Sequence, residues 1–461
     1  MASKTISKSV AWQLAGKFLL QGIAFLTVPI FTRILTTADY GYTALYSSWS
    51  TILSLVIGMQ TAGSIGNARI KEEININEYL SSIMSISILS LIPFLIISIV
   101  FKNYFSRLLS IRQDLVILLV LQSFFNYVIS FQITKLDVYK QVEKSTILSF
   151  FQTLFSVVLS LLFVYYMKEN KAIGKIYGQA IPVIIIGSFI CIIVYARGNI
   201  IWNSTYNKFC LSFSVPLILH GIGHVIFTQS DKIMIQKIQN TECLGIYSVA
   251  CTLSNVLVII MGALNTSWVP FYYDYKSRND TSSIIIHTKQ YIKLFTIITM
   301  GFILLVFDVF KIMTPEEYHS GIVILPIFAL SSYFHFLYLF PVNNEFYYAK
   351  TNYIPIATII AALINIAINS ILIQPYGFWG AILGTLIAQI LLFLFHTLIS
   401  RFVINEQYEY SVKIFIPGII FVIVSIIITY LFRSFWYIRW LLAFILGIYL
   451  LKEIIVRRSV F

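Results

Sequence analysis

Four polar residues recur at steps of four along the first long apolar run of the chain: Ser9, Gln13, Lys17 and Gln21. On a helix that step keeps side chains on one slowly rotating face. His220, His224, Thr228 and Lys232 repeat the pattern in the seventh apolar run, and Gln122, Asn126, Ser130 and Thr134 in the fourth. Ser331 and His335 mark the tenth run, and Asn365 and Asn369 the eleventh. Amides and hydroxyls accept and donate hydrogen bonds without fixed charge, so these stripes describe a hydrated interior suited to a carbohydrate. Taken singly, such groups are often interhelical partners worth under about 1–2 kcal/mol each. An ionisable group at mid-bilayer costs at least about 2.5–3.5 kcal/mol, so it normally faces a cavity or water. For Lys17 the alternative is a snorkelling anchor, and for His220 and His224 a pair of packing histidines. Asp231 and Asp308 are the acidic candidates for a coupling proton or cation, with interface placement as the alternative. Asp39, in Asp39-Tyr40-Gly41, reads as a turn and N-cap device for the second helix.

The elements that position these residues follow from composition. Of 461 residues, 58% are hydrophobic and only 11% charged, and the mean hydropathy is +0.85. A soluble chain carries roughly 25% charged residues. The chain is therefore read as an all-α polytopic membrane protein, and a cytosolic enzyme, a disulfide scaffold or a disordered chain is excluded. Cys191, Cys210, Cys243 and Cys251 form no CxxC pair and read as small buried hydrophobes. The net charge of +13 is spread over short loops without a dense basic run, which points to juxtamembrane anchoring and not to nucleic acid.

A span needs about 20 apolar residues. Fourteen are expected, near 10–32, 40–61, 79–101, 115–134, 146–166, 177–195, 211–230, 244–268, 291–311, 321–341, 353–373, 378–400, 412–431 and 437–456. The run at 177–195 contains Pro182. Of the 32 Lys and Arg, 19 fall on the side of the termini and 12 on the other, which favours both ends in the cytoplasm.

The two halves are related. Arg33, Thr37, Gly41, Ser50 and Gly58 recur 204 residues later as Lys237, Thr241, Gly245, Ser254 and Gly262. Lys144, Gly174 and Gly178 recur 206 residues later as Lys350, Gly380 and Gly384. The offset covers six helices, an even number, so the copies insert in one orientation and form a parallel repeat. The expected organisation is a six-helix lobe over 1–200, a second over 201–405, and two additional helices over 406–461. Two such lobes suit a transporter. No Walker loop, HExxH motif, paired catalytic carboxylates or Cys/His metal cluster is present in the sequence, so neither ATP hydrolysis nor a cofactor or metal is expected.

Several segments resemble bacterial polysaccharide flippases of the multidrug/oligosaccharidyl-lipid/polysaccharide exporter superfamily. They are Lys8-Ser9 through Thr32-Arg33-Ile34-Leu35, then Ala38-Asp39-Tyr40-Gly41-Tyr42; Ser230-Asp231-Lys232 before Leu244-Gly245-Ile246-Tyr247-Ser248; and Asn365 to Asn369 before Gln374-Pro375-Tyr376-Gly377-Phe378-Trp379-Gly380-Ala381. The resemblance implies a non-enzymatic transporter of the bacterial cytoplasmic membrane. Its implied substrate is an undecaprenyl-diphosphate-linked oligosaccharide, moved to the outer leaflet for capsule, exopolysaccharide or O-antigen assembly. A glycan polymerase or ligase is an implied partner. Lys17 would then neutralise diphosphate charge, while Gln13, Gln21, Gln122, Asn126, His220, His224, Lys232, His335, Asn365 and Asn369 contact substrate. The family commonly carries Arg where Lys232 stands, and Lys lacks the bidentate phosphate geometry of Arg. A cation-coupled multidrug exporter and a peptidoglycan-precursor flippase are the competing readings.

Overall fold

The computed structural model describes residues 2–404 and 409–457. Within these, the side chains of residues 2–11, 13–15, 17, 219, 220 and 454–457 lie outside the description. The described residues form sixteen α-helices, and the chain divides into two compact units.

The first unit comprises residues 1–27 and 38–236. It contains most of α1 (Ala2–Ile34), then α2 (Thr37–Gly58), the short α3 (Ile65–Ile70), α4 (Ile76–Val100), the short α5 (Lys102–Leu109), α6 (Gln113–Val138), α7 (Val142–Tyr166), α8 (Lys171–Gly198) and nearly all of α9 (Ser204–Ile238). Its core joins Ile57, Tyr79, Ile83, Phe124, Val128 and Phe131. The second unit comprises residues 28–37 and 237–461. It holds α10 (Thr241–Ser277), α11 (Thr281–Met313), α12 (Leu325–Tyr347), α13 (Tyr353–Tyr376), α14 (Phe378–Leu398), α15 (Ile416–Leu431) and α16 (Trp436–Arg457). Its core is aromatic, built on Trp268, Tyr272, Phe295, Tyr333, Phe340 and Phe415. The two last helices, α15 and α16, both pack on α11.

Helix ends follow local chemistry. The side chains of Asn75, Asn240 and Asp280 accept from the amides of Asn77, Cys243 and Ser283, capping α4, α10 and α11. Bonds from the Ser283 and Ser282 hydroxyls and the Ser283 amide hold the Asp280 carboxyl down at about 2. Gly377, at φ +56°, makes the tight turn from α13 to α14. Asp39 falls inside the first turn of α2, where its charge meets the positive helix end, and not at the cap position.

The chain is an all-α membrane protein, but the span count differs from expectation. Against fourteen expected spans, eleven described helices are long and apolar enough to cross a membrane: α4, α6 to α11, α12 with the turn before it, and α13 to α15. Of the other three candidates, all helical, α2 and α16 are more polar, and α1 is described only in part. α2 carries Asp39 and the cluster Ser47, Ser48, Ser50 and Thr51; α16 carries Arg439, Lys452 and Glu453; the described apolar part of α1 is only Phe18–Ile34. Helices also overrun their apolar cores. α9 and α10 reach 35 and 37 residues, and α8 runs unbroken through Pro182.

Gly174 and Gly380, one offset apart, meet similar contacts. A Cβ at Gly174 in α8 would stand 2.8 Å from the Phe163 carbonyl oxygen of α7. One at Gly380 in α14 would stand 2.2 Å from the Leu372 carbonyl oxygen of α13. In lipid, helix association rests on close packing of this kind, since the surroundings are as apolar as the helices. Thr37 and Thr241, one offset apart, open α2 and α10.

Candidate functional site

In the first unit, α6 turns its polar stripe toward α2. Asn126 Nδ2 donates to Ser50 Oγ at 3.1 Å. Ser123, one turn away, donates to the Leu119 carbonyl at 2.6 Å and lies 3.3 Å from the same Ser50 oxygen. Gln122 is buried, and its Oε1 has no hydrogen-bond partner among the described residues. Ser130 is exposed, and Thr134 donates back to its carbonyl at 2.9 Å. The stripe of the fourth apolar run is thus half interhelical contact and half surface.

The α9 stripe is more open. His224 and Thr228 are exposed, with Thr228 Oγ1 donating to the His224 carbonyl at 3.1 Å. Lys232 is half-buried, and its Nζ reaches Gln229 Oε1 at 3.3 Å. Asp231 is buried at 6% exposure. Gln21 is half-buried on α1. The side chains of Gln13, Lys17 and His220 lie outside the described residues.

In the second unit, Gln389 of α14 donates to His335 Nδ1 at 3.1 Å. Asn365 and Asn369 are fully buried between α13 and α14. Asn369 Nδ2 donates to Asn365 Oδ1 at 3.1 Å, and Asn365 Nδ2 lies 3.4 Å from Thr385 Oγ1. A Cβ at Gly384 would stand 2.1 Å from Asn369 Oδ1, so the amide fills the space the glycine leaves. Asp308 is held by α16: Arg439 Nη2 lies 2.8 Å from Oδ1, and the Trp440 indole donates to Oδ2 at 3.0 Å. Arg439 is only 1% exposed.

That geometry makes a distinguishable prediction. Removing one member of a buried ion pair costs about 3–5 kcal/mol, because the other charge stays behind. Asp308→Asn should therefore lower thermal stability, and adding Arg439→Met should restore much of it. If Asp308 instead carries a coupling ion, Asp308→Asn abolishes transport at normal membrane abundance. Abundance and transport measured on the two variants separate the cases.

Several polar groups have no counterpart in the sequence expectations. Glu345 of α12 and His396 of α14 are both fully buried, with Oε1 and Nδ1 2.7 Å apart. Nearby, Asn343 donates to Asn265 at 2.8 Å and the Tyr272 hydroxyl to Asn344 at 2.9 Å. The sequence reading ends the tenth span at Pro341, leaving Asn343-Asn344-Glu345 as loop. The helix continues through Pro341 to Tyr347, and Ser400 Oγ bonds the Pro341 carbonyl at 2.9 Å. Lys276 and Glu409 form a second buried ion pair. In the first unit the Tyr127 and Thr61 hydroxyls bond each other, and Tyr79 donates to Ser64 at 2.7 Å. Cys210 Sγ accepts from Ser64 at 3.3 Å. That network ties down the turn after α2, where Met59 and Gln60 have positive φ.

Comparison with known proteins gives these polar interiors a family. The model of the family "Polysaccharide biosynthesis protein" matches residues 6–276, more than half of the chain. The chain belongs to that family. A protein of the Lsg locus of Haemophilus influenzae is 20% identical over 373 residues, 79% of this chain and 90% of that protein. An uncharacterized membrane protein of Methanocaldococcus jannaschii is 29% identical over 196 residues, 41% of this chain. This chain spans only 45% of that archaeal protein's length. Among solved structures, the lipid II flippase MurJ in an inward closed conformation superposes with a TM-score of 0.74 at 15% identity, covering 98% of this chain and 99% of MurJ. An inward-facing multidrug resistance MATE transporter of the MOP superfamily gives 0.65 at 13% identity, covering 86% and 98%. At such identities the likeness shows the fold. This polysaccharide biosynthesis family member is a multi-pass membrane protein that shares the fold of the MurJ and MATE structures.

Proposed function

We propose that this protein is a flippase. It moves an undecaprenyl-diphosphate-linked oligosaccharide from the inner to the outer leaflet of a bacterial cytoplasmic membrane by alternating access. Capsule, exopolysaccharide or O-antigen assembly is the pathway, with a glycan polymerase or ligase as the next protein. The observation that carries the reading is the match to the polysaccharide biosynthesis family, in a chain whose helices bury amides and hydroxyls such as Gln122 and Ser123. Under this reading α1, α2 and α16 join the eleven apolar helices as spans, giving fourteen with both termini cytoplasmic. The two lobes are a parallel duplication, which the similar placement of Gly174 and Gly380 against a carbonyl of the preceding helix supports.

Lys17 is the proposed partner of the diphosphate, whose charge is costly to carry through hydrocarbon unaided. Proteoliposomes containing a fluorescent undecaprenyl-diphosphate disaccharide give the direct test, read as sugar accessible in the opposite leaflet. Lys17→Arg should retain transport, while Lys17→Gln should lose most of it at unchanged abundance. Near-normal transport by Lys17→Gln removes Lys17 from the site and leaves the α9 stripe as the basic candidate. Lipid II belongs in the same assay, since the MurJ structure shares the fold across nearly the full chain. Transport of lipid II in preference to the oligosaccharide would replace the proposal with a peptidoglycan role.

A further inference from the structure

The Glu345–His396 pair is an incomplete one. Both residues are fully buried, and their contact at 2.7 Å is a hydrogen bond. Glu345 Oε2 and His396 Nε2 are also buried, and neither has a hydrogen-bond partner among the described residues. One proton lies between Oε1 and Nδ1. With that proton alone the carboxylate is charged, the imidazole is neutral, and both remaining atoms are bare acceptors. The pair then carries a net charge of about −1 in a dry site, the arrangement burial penalises most. A second proton, on Nε2 or on Oε2, makes the pair neutral and turns one bare acceptor into a donor. Nothing larger is called for.

We infer that Glu345 and His396 together form a proton-binding site, and that its loading and release are coupled to the transport cycle. The inference rests on the transport reading above only for its second half. The two residues titrate as a unit, so the proton belongs to the pair and not to either member. Neither side chain has any exposed surface, so a proton can exchange only when α12 and α14 shift against their neighbours. That requirement links occupancy to conformation: the loaded, neutral pair suits the occluded state, and the unloaded pair favours a hydrated one.

The surrounding groups leave the pair as the titrating centre. From α12 itself, the Tyr338 ring lies 5.6 Å from the imidazole, and His335 is bonded to Gln389. From α10 come Tyr272, which donates to Asn344, and Lys276, which is tied to Glu409. The charge of Lys276 is thereby balanced before it reaches the pair. α11 brings Tyr291, packed on Trp268, and the π-turn after α14 brings the exposed Arg401. α13 brings the amides of Asn365 and Asn369, which do not titrate in this range. The carboxyl candidate Asp308 sits elsewhere, against Arg439.

Two measurements on the full-length protein test the inference. Infrared titration of the purified protein in nanodiscs should show a carboxyl protonation change that is missing from Glu345→Gln and shifted in His396→Asn. In proteoliposomes holding the fluorescent disaccharide lipid, a one-unit pH gradient should shift the leaflet distribution by about tenfold for one coupled proton. Glu345→Gln should still equilibrate the lipid but show no gradient-driven shift. If Glu345→Gln does not reach the membrane, His396→Asn carries the same comparison. An infrared spectrum unchanged by Glu345→Gln overturns the site. A gradient response equal to wild type in both variants, or absent from an actively transporting wild type, overturns the coupling. If the wild type moves no oligosaccharide lipid, the flippase reading fails and the infrared titration alone decides the proton site.

Discussion

Lys276→Met should destabilise this protein by about 3–5 kcal/mol, the cost of leaving a buried carboxylate without its partner. Lys276, in the last turn of α10, is paired with Glu409 ahead of α15, and both side chains are buried. The ammonium also lies 5.0 Å from the ring centroid of Tyr348. Glu409 Oε2 has no other hydrogen-bond partner among the described residues, so nothing nearby takes over when the lysine is lost. Removing both charges, as Lys276→Met with Glu409→Leu, should recover most of the stability, since a well-packed apolar pair often equals a buried ion pair. Thermal melting of the detergent-solubilised protein, followed by size exclusion, reads both variants against the wild type. A single variant that melts with the wild type would mean that water reaches the pair.

Gly178→Ala and Gly380→Ala should each cost about 3 kcal/mol, the upper end of ordinary overpacking. The obstacle in both cases is backbone. The new Cβ would stand 2.2 Å from Ser160 Cα in one helix pair and 2.2 Å from the Leu372 carbonyl oxygen in the other. A side chain could rotate aside, but a neighbouring helix must move as a whole. Gly262 and Gly301 are the controls, since nothing lies within 4 Å of a Cβ built there. Alanine at those two positions should be neutral or gain up to about 1 kcal/mol of helix propensity. Membrane abundance and melting temperature should separate the two pairs of variants. Equal effects at all four positions would show that propensity decides and close contact does not.

The class of fold is legible in the sequence because it depends on sums over long windows. Apolar runs of about 20 residues survive any error in their ends, and the helices appear where those runs stand. The recurrence of Gly174 as Gly380 is legible for a related reason: a site that excludes even a methyl group keeps its glycine. What a window cannot show is the partner of a single polar side chain. Asn365 and Asn369 are recognisable as one face of a helix, but their fit against Gly384 and Thr385 depends on α14. Glu345 is hidden twice over. Pro341 marks the apparent end of its span, and His396 stands 51 residues away. Likewise Asp308 reads as a lone intramembrane acid until α16 brings Arg439, 131 residues later.

The first helix belongs to both compact units, and this has a consequence for how the protein is made. Residues 28–37 are grouped with the second unit, where Thr32 bonds the Met313 carbonyl and Arg33 the carbonyls of Ile312 and Met313. Thr32 leaves the ribosome 281 residues before Met313. At about 5–20 residues per second, that is a wait of roughly 14–56 s. During that time the end of α1 is in place without its final neighbours, and the second unit cannot be completed from its own stretch of chain. No single cut separates the units: a fragment that begins after α9 lacks Thr32 and Arg33, and one that ends there carries them with nothing to bind. The gene can therefore be split only if both pieces are present in the membrane together.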